Sequence, residues 1–250
     1  MSGHSKWSTI KRKKAASDAR KGQLFTKLTR EIILGARQGG GDPEANFRLR
    51  LAIDRARQAN MPKDSIERAI KRGSGELKGE SLEEILYEGY APYGVALLLF
   101  TFTDNRNRAV SDIRRRLARS GGSLGEAGSV TWLFDQKGLI VVEAPGAQAE
   151  ELALVAIDAG AEDVKIENGL VEIYTRPSEL PRVKESLEKR RVALSSTELT
   201  MIPKTFIQLG EQETLQVMNL IEALEDLEDV QRVYSNLDIP ERVLARYEAA

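Results

Sequence analysis

Within nine residues, Lys6, Lys11, Arg12, Lys13 and Lys14 set five cations around the indole of Trp7. Ammonium and guanidinium groups hold phosphate oxygens and release condensed counterions, while an indole stacks on any base for about 1–3 kcal/mol. The combination suits nucleic acid. A tail kept only for solubility would need the charge but not the ring; the competing reading is that Trp7 anchors the arm to a core. Lys21 extends the same basic series. His4 is the only histidine of the chain. Removal of Met1 would free the amine of Ser2-Gly3-His4 for a square-planar Cu(II) or Ni(II) chelate. Any chain with His in third place shares that property, so it is a weak sign of function.

A second basic stretch runs from 105 to 119. There Val110, Ile113 and Leu117 recur at helical spacing, and Arg108, Arg115 and Arg119 fall almost opposite them. The arginine face is either a solvated outer surface or a phosphate contact. Asp104-Asn105-Arg106-Asn107 lies where a strand turns into this helix. Free N–H groups there suit an anion beside Arg106, and Asp104 or Asn105 equally suits a helix cap. The cluster Gly121-Gly122-Ser123-Leu124-Gly125-Glu126-Ala127-Gly128 resembles a phosphate loop, but it follows a helix and precedes a strand, the reverse of the order that aims a helix dipole at phosphate. It reads as a turn needing positive φ.

Enzyme classes fall away for lack of parts. With no Cys and one His, disulfides, thiolate zinc, iron–sulfur clusters, Cys nucleophiles and multi-histidine metal sites are excluded. The one Gly-x-Ser-x-Gly spacing, at 121–125, lies between a helix and a strand and not on the strand-to-helix turn of a nucleophile elbow, and the carboxylates, including Glu225, Asp226, Glu228 and Asp229, read as solvated faces and helix ends. The expectation is a protein that is not an enzyme and holds no cofactor or metal. No apolar run approaches the roughly 20 residues of a membrane span, and no secretory signal stands at the front. The expected location is the cytoplasm, an organelle transit segment being the alternative.

These groups need elements to position them. The net charge of −1 conceals a split, for residues 1–73 carry 18 basic against 7 acidic side chains and the remainder 19 against 31. A basic arm over 1–21 has too few apolar residues to pack. Over 22–78 the four-residue spacing of Leu24, Leu28 and Ile32, then Leu49, Ile53 and Ala56, then Ile66, Ala69 and Ile70 predicts a helical domain. Asp42-Pro43 is expected to start its second helix, and Asp64 with Glu67 to cap its third. Beyond the polar hinge 73–80 the pattern turns to strands at 82–91, 94–103, 129–135, 138–143, 163–167, 170–175, 193–201, 204–209 and 230–236. Helices are expected at 105–119, 147–159, 178–191, 211–227 and 240–248. The order strand, helix, strand, strand, helix, strand over 137–203 is a ferredoxin-like unit. It would be inserted into a second such domain built from 79–136 and 204–250, with 82–91 added at its edge. The fold class is α+β, an N-terminal helical domain followed by two ferredoxin-like α/β domains, one inside the other.

The segments GHSKW (3–7), FTKLTREI (25–32), GGGDPEAN (39–46), NMPKDSIERAIKRG (60–73), YEGYAPYGVA (87–96), TDNRNR (103–108) and GGSLGEAGSVTW (121–132) closely resemble the YebC/PmpR family across nearly the whole chain. The resemblance implies three domains and a cytoplasmic regulator of gene expression. Family members are described as DNA-binding transcriptional regulators or as ribosome-associated factors that relieve stalling at proline-rich stretches, and a mitochondrial relative activates translation of cytochrome oxidase. It also implies a polyanion-binding role for the basic and aromatic residues of the matching motifs: His4, Lys6, Trp7, Lys11, Lys14, Lys27, Arg30, Arg106 and Arg108. The partner is thus nucleic acid, either DNA or ribosomal RNA with the ribosome, and no membrane. A mobile Lys-rich arm with one aromatic favours RNA, and the family descriptions favour DNA. A rival of another class is a module whose sheets bind proteins or a small ligand. Oligomeric state is not legible.

Overall fold

The computed structural model describes residues 18–78 and 81–248. Helix α1 (Asp18–Gly39) begins four residues inside the stretch expected as an arm. Its stripe of Leu28, Ile32, Ile33 and Ala36 is buried against Leu49, Ala52, Ile53 and Ala56 of α2 (Phe47–Gln58) and Ile66 and Ala69 of α3 (Lys63–Gly73). The cap of α2 is Asn46, not the expected Asp42-Pro43. Its side-chain oxygen accepts from Leu49 N at 3.1 Å, and its amide donates to the carbonyls of Gly35 and Gly40, both at 2.8 Å. One buried amide therefore ends α1 and starts α2 together. Asp64 lies inside the first turn of α3, whose cap residue is Pro62, so the expected capping box does not form. The carboxylate instead lies beside the positive end of the helix dipole.

Gly73 shows how closely α3 crosses α1. A Cβ built there would stand 2.4 Å from the Ile33 carbonyl oxygen and 2.6 Å from the Ala36 methyl. The residue expected to open a hinge is thus a buried packing position.

The described residues beyond 81 form two sheets. The first pairs β1 (Glu83–Tyr90) with β2 (Ala96–Thr103), adds the two-residue β3 (Ser123–Leu124) beside β1, and adds β8 (Val230–Ser235) beside β2. The order β3-β1-β2-β8 puts β1 inside the sheet, not at the edge expected for 82–91. Helices α4 (Arg106–Arg119) and α7 (Glu211–Glu225) cover one face, with Leu97, Leu99, Ile113, Leu117, Val217, Ile221, Leu224 and Val233 in one core. Helix α8 (Glu241–Glu248) closes that core with Val243 and Tyr247. Two expected strands fail. Residues 129–133 are loop and a short 3-10 turn because the N–H groups of Val130 and Thr131 bond a carboxylate, leaving none for a ladder. Stretch 204–209 makes one isolated bridge, Ile207 to Leu237.

The second sheet comprises β4 (Phe134–Glu143), β5 (Asp163–Glu167), β6 (Leu170–Thr175) and β7 (Leu194–Pro203) in the antiparallel order β5-β6-β4-β7. Helix α5 (Ala147–Asp158) lies on β5 and β6, and α6 (Leu180–Lys189) on β4. That is the ferredoxin-like arrangement read from residue order. The chain divides into two compact units, with residues 133–204 in one and the segments before and after them in the other.

Gly73→Ala should lower stability by about 1–3 kcal/mol despite alanine's better helix propensity, because the added methyl meets backbone oxygen. A urea midpoint equal to that of the parent chain would show that α1 and α3 do not cross this closely.

Candidate nucleic-acid interface

His4, Lys6, Trp7, Lys11, Arg12, Lys13 and Lys14 lie outside the described residues. Lys21 is exposed near the start of α1. Lys27 and Arg30, one turn apart on that helix, point to the turn between α7 and β8. There Lys27 Nζ donates to the Glu225 carbonyl. Arg30 donates to the Glu228 carbonyl and carboxylate, each at 2.6 Å, and to Asp229 Oδ1 at 3.1 Å.

Arg108 reaches the same carboxylate from the first turn of α4. Its Nε and Nη2 donate to the two Asp229 oxygens at 3.1 and 3.0 Å, and Nη2 also meets Asp104 at 2.6 Å. The fork is a bidentate guanidinium–carboxylate pair. Asp229 holds the guanidinium more firmly protonated than usual, with Asp104 adding to the effect against a smaller opposing influence of burial. The hydrogen bond from Arg108 in turn keeps the Asp104 carboxyl below its ordinary range. Asp229 is buried, as is Glu225, whose carboxylate accepts from Val233 N at 3.1 Å. Glu225 and Asp229 are therefore not the solvated side chains expected, whereas Asp226 and Glu228 of the same run are exposed. Sequence spacing gave no sign of this, because its cationic partners stand about 120 and 200 positions away.

On α4 the buried stripe is Ala109, Ile113 and Leu117, with Val110 only partly covered. Asn105 caps the helix, its side chain accepting from Arg108 N at 3.1 Å. Arg106 is exposed and stands 3.8 Å from Glu83, and Arg115 pairs with Asp112 one turn back at 2.6 Å. Arg119 projects from the last turn into solvent. Among the described candidates, Arg30 and Arg108 are thus held by the buried Asp229 and Lys27 by a backbone carbonyl, while Lys21, Arg106, Arg115 and Arg119 are exposed, Arg106 and Arg115 with carboxylates beside them.

A basic row not assigned from the sequence stands on α3. Arg68, Lys71 and Arg72 are exposed at spacings of three and four, which places them on one helical face. None makes an ion pair among the described residues. Their spacing was the available signal. The row follows a four-residue turn, Ala59–Pro62, in which Asn60 takes a left-handed φ of 58°. Two helices joined by so short a turn, the second carrying free cations, have the connectivity of a helix-turn-helix.

The glycine-rich loop already holds an anion of its own. The Glu88 carboxylate accepts from Gly128 N at 2.6 Å, Val130 N at 2.7 Å and Thr131 N at 2.8 Å. Glycine is required where the loop meets β1, since a Cβ on Gly122 would lie 2.6 Å from the Tyr90 carbonyl. Burial pushes the Glu88 carboxyl up, but the hydrogen bonds from Gly128, Val130 and Thr131 outweigh it and hold the group below its ordinary value. The backbone donors are aimed at a side chain, which rules this loop out as a phosphate cradle.

Asp229→Ala should cost about 2 kcal/mol, less than the roughly 3–5 kcal/mol of a fully buried pair because Arg108 is nearly half exposed. Equal melting temperatures for variant and parent would remove the cluster from the stability of the fold. Carboxylates with depressed folded values contribute stability that is complete above their unfolded values and lost as pH falls through the folded ones. Glu88→Gln should therefore lower stability at neutral pH and flatten the acid slope below the ordinary value of 4.5, as read by urea unfolding across pH. A slope unchanged by the substitution would contradict the cradle.

Comparison with known proteins follows this geometry closely. Residues 5–76 match the family described as the TACO1/YebC protein N-terminal domain, and residues 82–237 match the TACO1/YebC second and third domain. A probable transcriptional regulatory protein of Dehalococcoides mccartyi is 54% identical over 247 residues, covering 99% of this chain and 98% of the relative. One of Chloroflexus aggregans is 53% identical over 252 residues, all of both chains. The crystal structure of a conserved hypothetical protein from Aquifex aeolicus superposes with a TM-score of 0.81 at 50% identity, covering 89% of this chain and 92% of that one. The chain belongs to the TACO1/YebC family.

Proposed function

We propose that the chain is a non-enzymatic, cytoplasmic regulator of gene expression that binds nucleic acid through its N-terminal basic arm and the outer face of α3. The carrying observation is the division among cations. Lys27, Arg30 and Arg108 satisfy Asp229 and its neighbours, while Arg68, Lys71 and Arg72 stand exposed without an ion pair among the described residues. Cations held by carboxylates exchange little charge with a phosphate backbone; cations held only by water release counterions at full strength. The names of the relatives support transcriptional regulation, as does the helix–turn–helix connectivity, so duplex DNA is the first expected target. The Lys-rich arm with Trp7 supports the second reading, a ribosome-associated factor contacting ribosomal RNA.

Neutralising α3 in the triple variant Arg68→Gln, Lys71→Gln, Arg72→Gln should reduce the log–log salt slope of binding to duplex DNA by about 2–3, at roughly 0.9 per lost contact. Fluorescence anisotropy at several salt concentrations, on duplex DNA and ribosomal RNA in parallel, gives the slope for each. The larger loss identifies the physiological polymer. Slopes unaltered on both would reject α3 as the contact.

A further inference from the structure

An open cleft of about 760 Å³ is lined by residues of α1 and α3 together with Leu82 and Glu228. Its size falls within the range of ligand pockets, roughly 300–1,000 Å³. Three kinds of surface meet in it. Ile33, Met61 and Leu82 make a buried apolar floor, and the Phe25 ring stands beside them. Along α1, the Thr26 and Thr29 hydroxyls donate their protons to the carbonyls of Gly22 and Phe25, at 3.1 and 2.7 Å. What they present to the cleft is therefore acceptor lone pairs. Glu228 lines the cleft as well, its Oε1 already accepting from Arg30 at 2.6 Å and its Oε2 remaining as a further acceptor. Arg72 and Lys78 also line the cleft, both exposed and neither ion-paired among the described residues.

A flat apolar body, hydrogen-bond donors along one edge and a negative charge at one end would satisfy all three surfaces. A nucleotide with an exocyclic amino group has that form. We propose that the cleft takes one unstacked, amino-bearing nucleotide from a bound single strand, with the base over Met61 beside Phe25, the amino group toward the acceptors of α1, and the phosphate at Arg72 and Lys78. Arg72 belongs both to this lining and to the outer row of α3, so a strand lying along that row reaches the mouth of the cleft. The inference rests on the nucleic-acid reading above and adds a preference for base type.

The test uses the full chain and three single-stranded RNA decamers: uniform uridine, the same with one central adenosine, and the same with inosine, where oxygen replaces the amino group. The adenosine strand should bind about tenfold more tightly than uniform uridine, and the inosine strand should show no such gain. Ser65 also lines the cleft. Ser65→Trp, which obstructs it, and Met61→Trp, which fills the floor, should each erase the gain. Circular dichroism melting confirms that both variants fold. Arg68→Gln with Lys71→Gln, outside the cleft, should weaken all three strands equally and preserve it. Equal affinity for adenosine and uridine strands, or a gain that survives in folded Ser65→Trp and Met61→Trp, overturns the cleft while leaving the nucleic-acid reading standing. Failure of every strand, duplex DNA and ribosomal RNA to bind overturns both.

Discussion

The carboxylate of Asp229 is the point on which the unit built from the helical domain and the first sheet depends. It sits in the turn between α7 and β8, its own carbonyl accepts from Phe102 N at 2.9 Å, and its side chain receives guanidinium groups from α1 and α4. Without those two arginines a buried negative charge would have no compensation, and without Asp229 the arginines would lose their best acceptor. The helical domain also meets the sheet elsewhere. Arg37 donates to the Leu82 carbonyl at 2.6 Å, Arg48 pairs with Glu84 at 2.8 Å, and Leu82 and Phe102 complete the helical core. The contacts around Asp229 have the most demanding geometry, because two guanidinium groups from different helices must meet one buried carboxylate.

This constraint shapes function by subtraction. Lys27, Arg30 and Arg108 are held at the turn before β8, whereas Arg68, Lys71 and Arg72 on α3 are exposed without an ion pair among the described residues. An internal clamp and an external contact surface are thus built from one residue type and differ only in what faces them. The glycine-rich loop follows the same logic. Its N–H groups have the form of an anion cradle, and Glu88 supplies the anion from within.

Helical periodicity in 22–73 and the strand–helix order of the second sheet were legible from sequence because both depend on neighbours within one element or one hairpin. The α+β class followed from them. Less legible was anything depending on distant partners. Residues 82–91 read as an edge strand, but β3 on its other side is two residues long and had no strand signal of its own. Val130, Thr131 and Trp132 have β-forming side chains, and only the remote Glu88 diverts their backbone. Among the candidate cations, commitment to a carboxylate depended on partners that spacing does not reveal, as Asp229 is for Arg30 and Arg108. The α3 row was visible as spacing and became informative once its neighbours proved to be spent.

Arginine accessibility measured in solution tests the division most directly. Phenylglyoxal labelling of the full chain, read by mass spectrometry with and without bound nucleic acid, reports each guanidinium separately. The expected result is that Arg68 and Arg72 react freely and become protected on binding, while Arg30 reacts poorly in both states. Fast labelling of Arg30 in the free protein, lost on binding while Arg68 and Arg72 stay reactive, would contradict it and return the contact surface to the first helix.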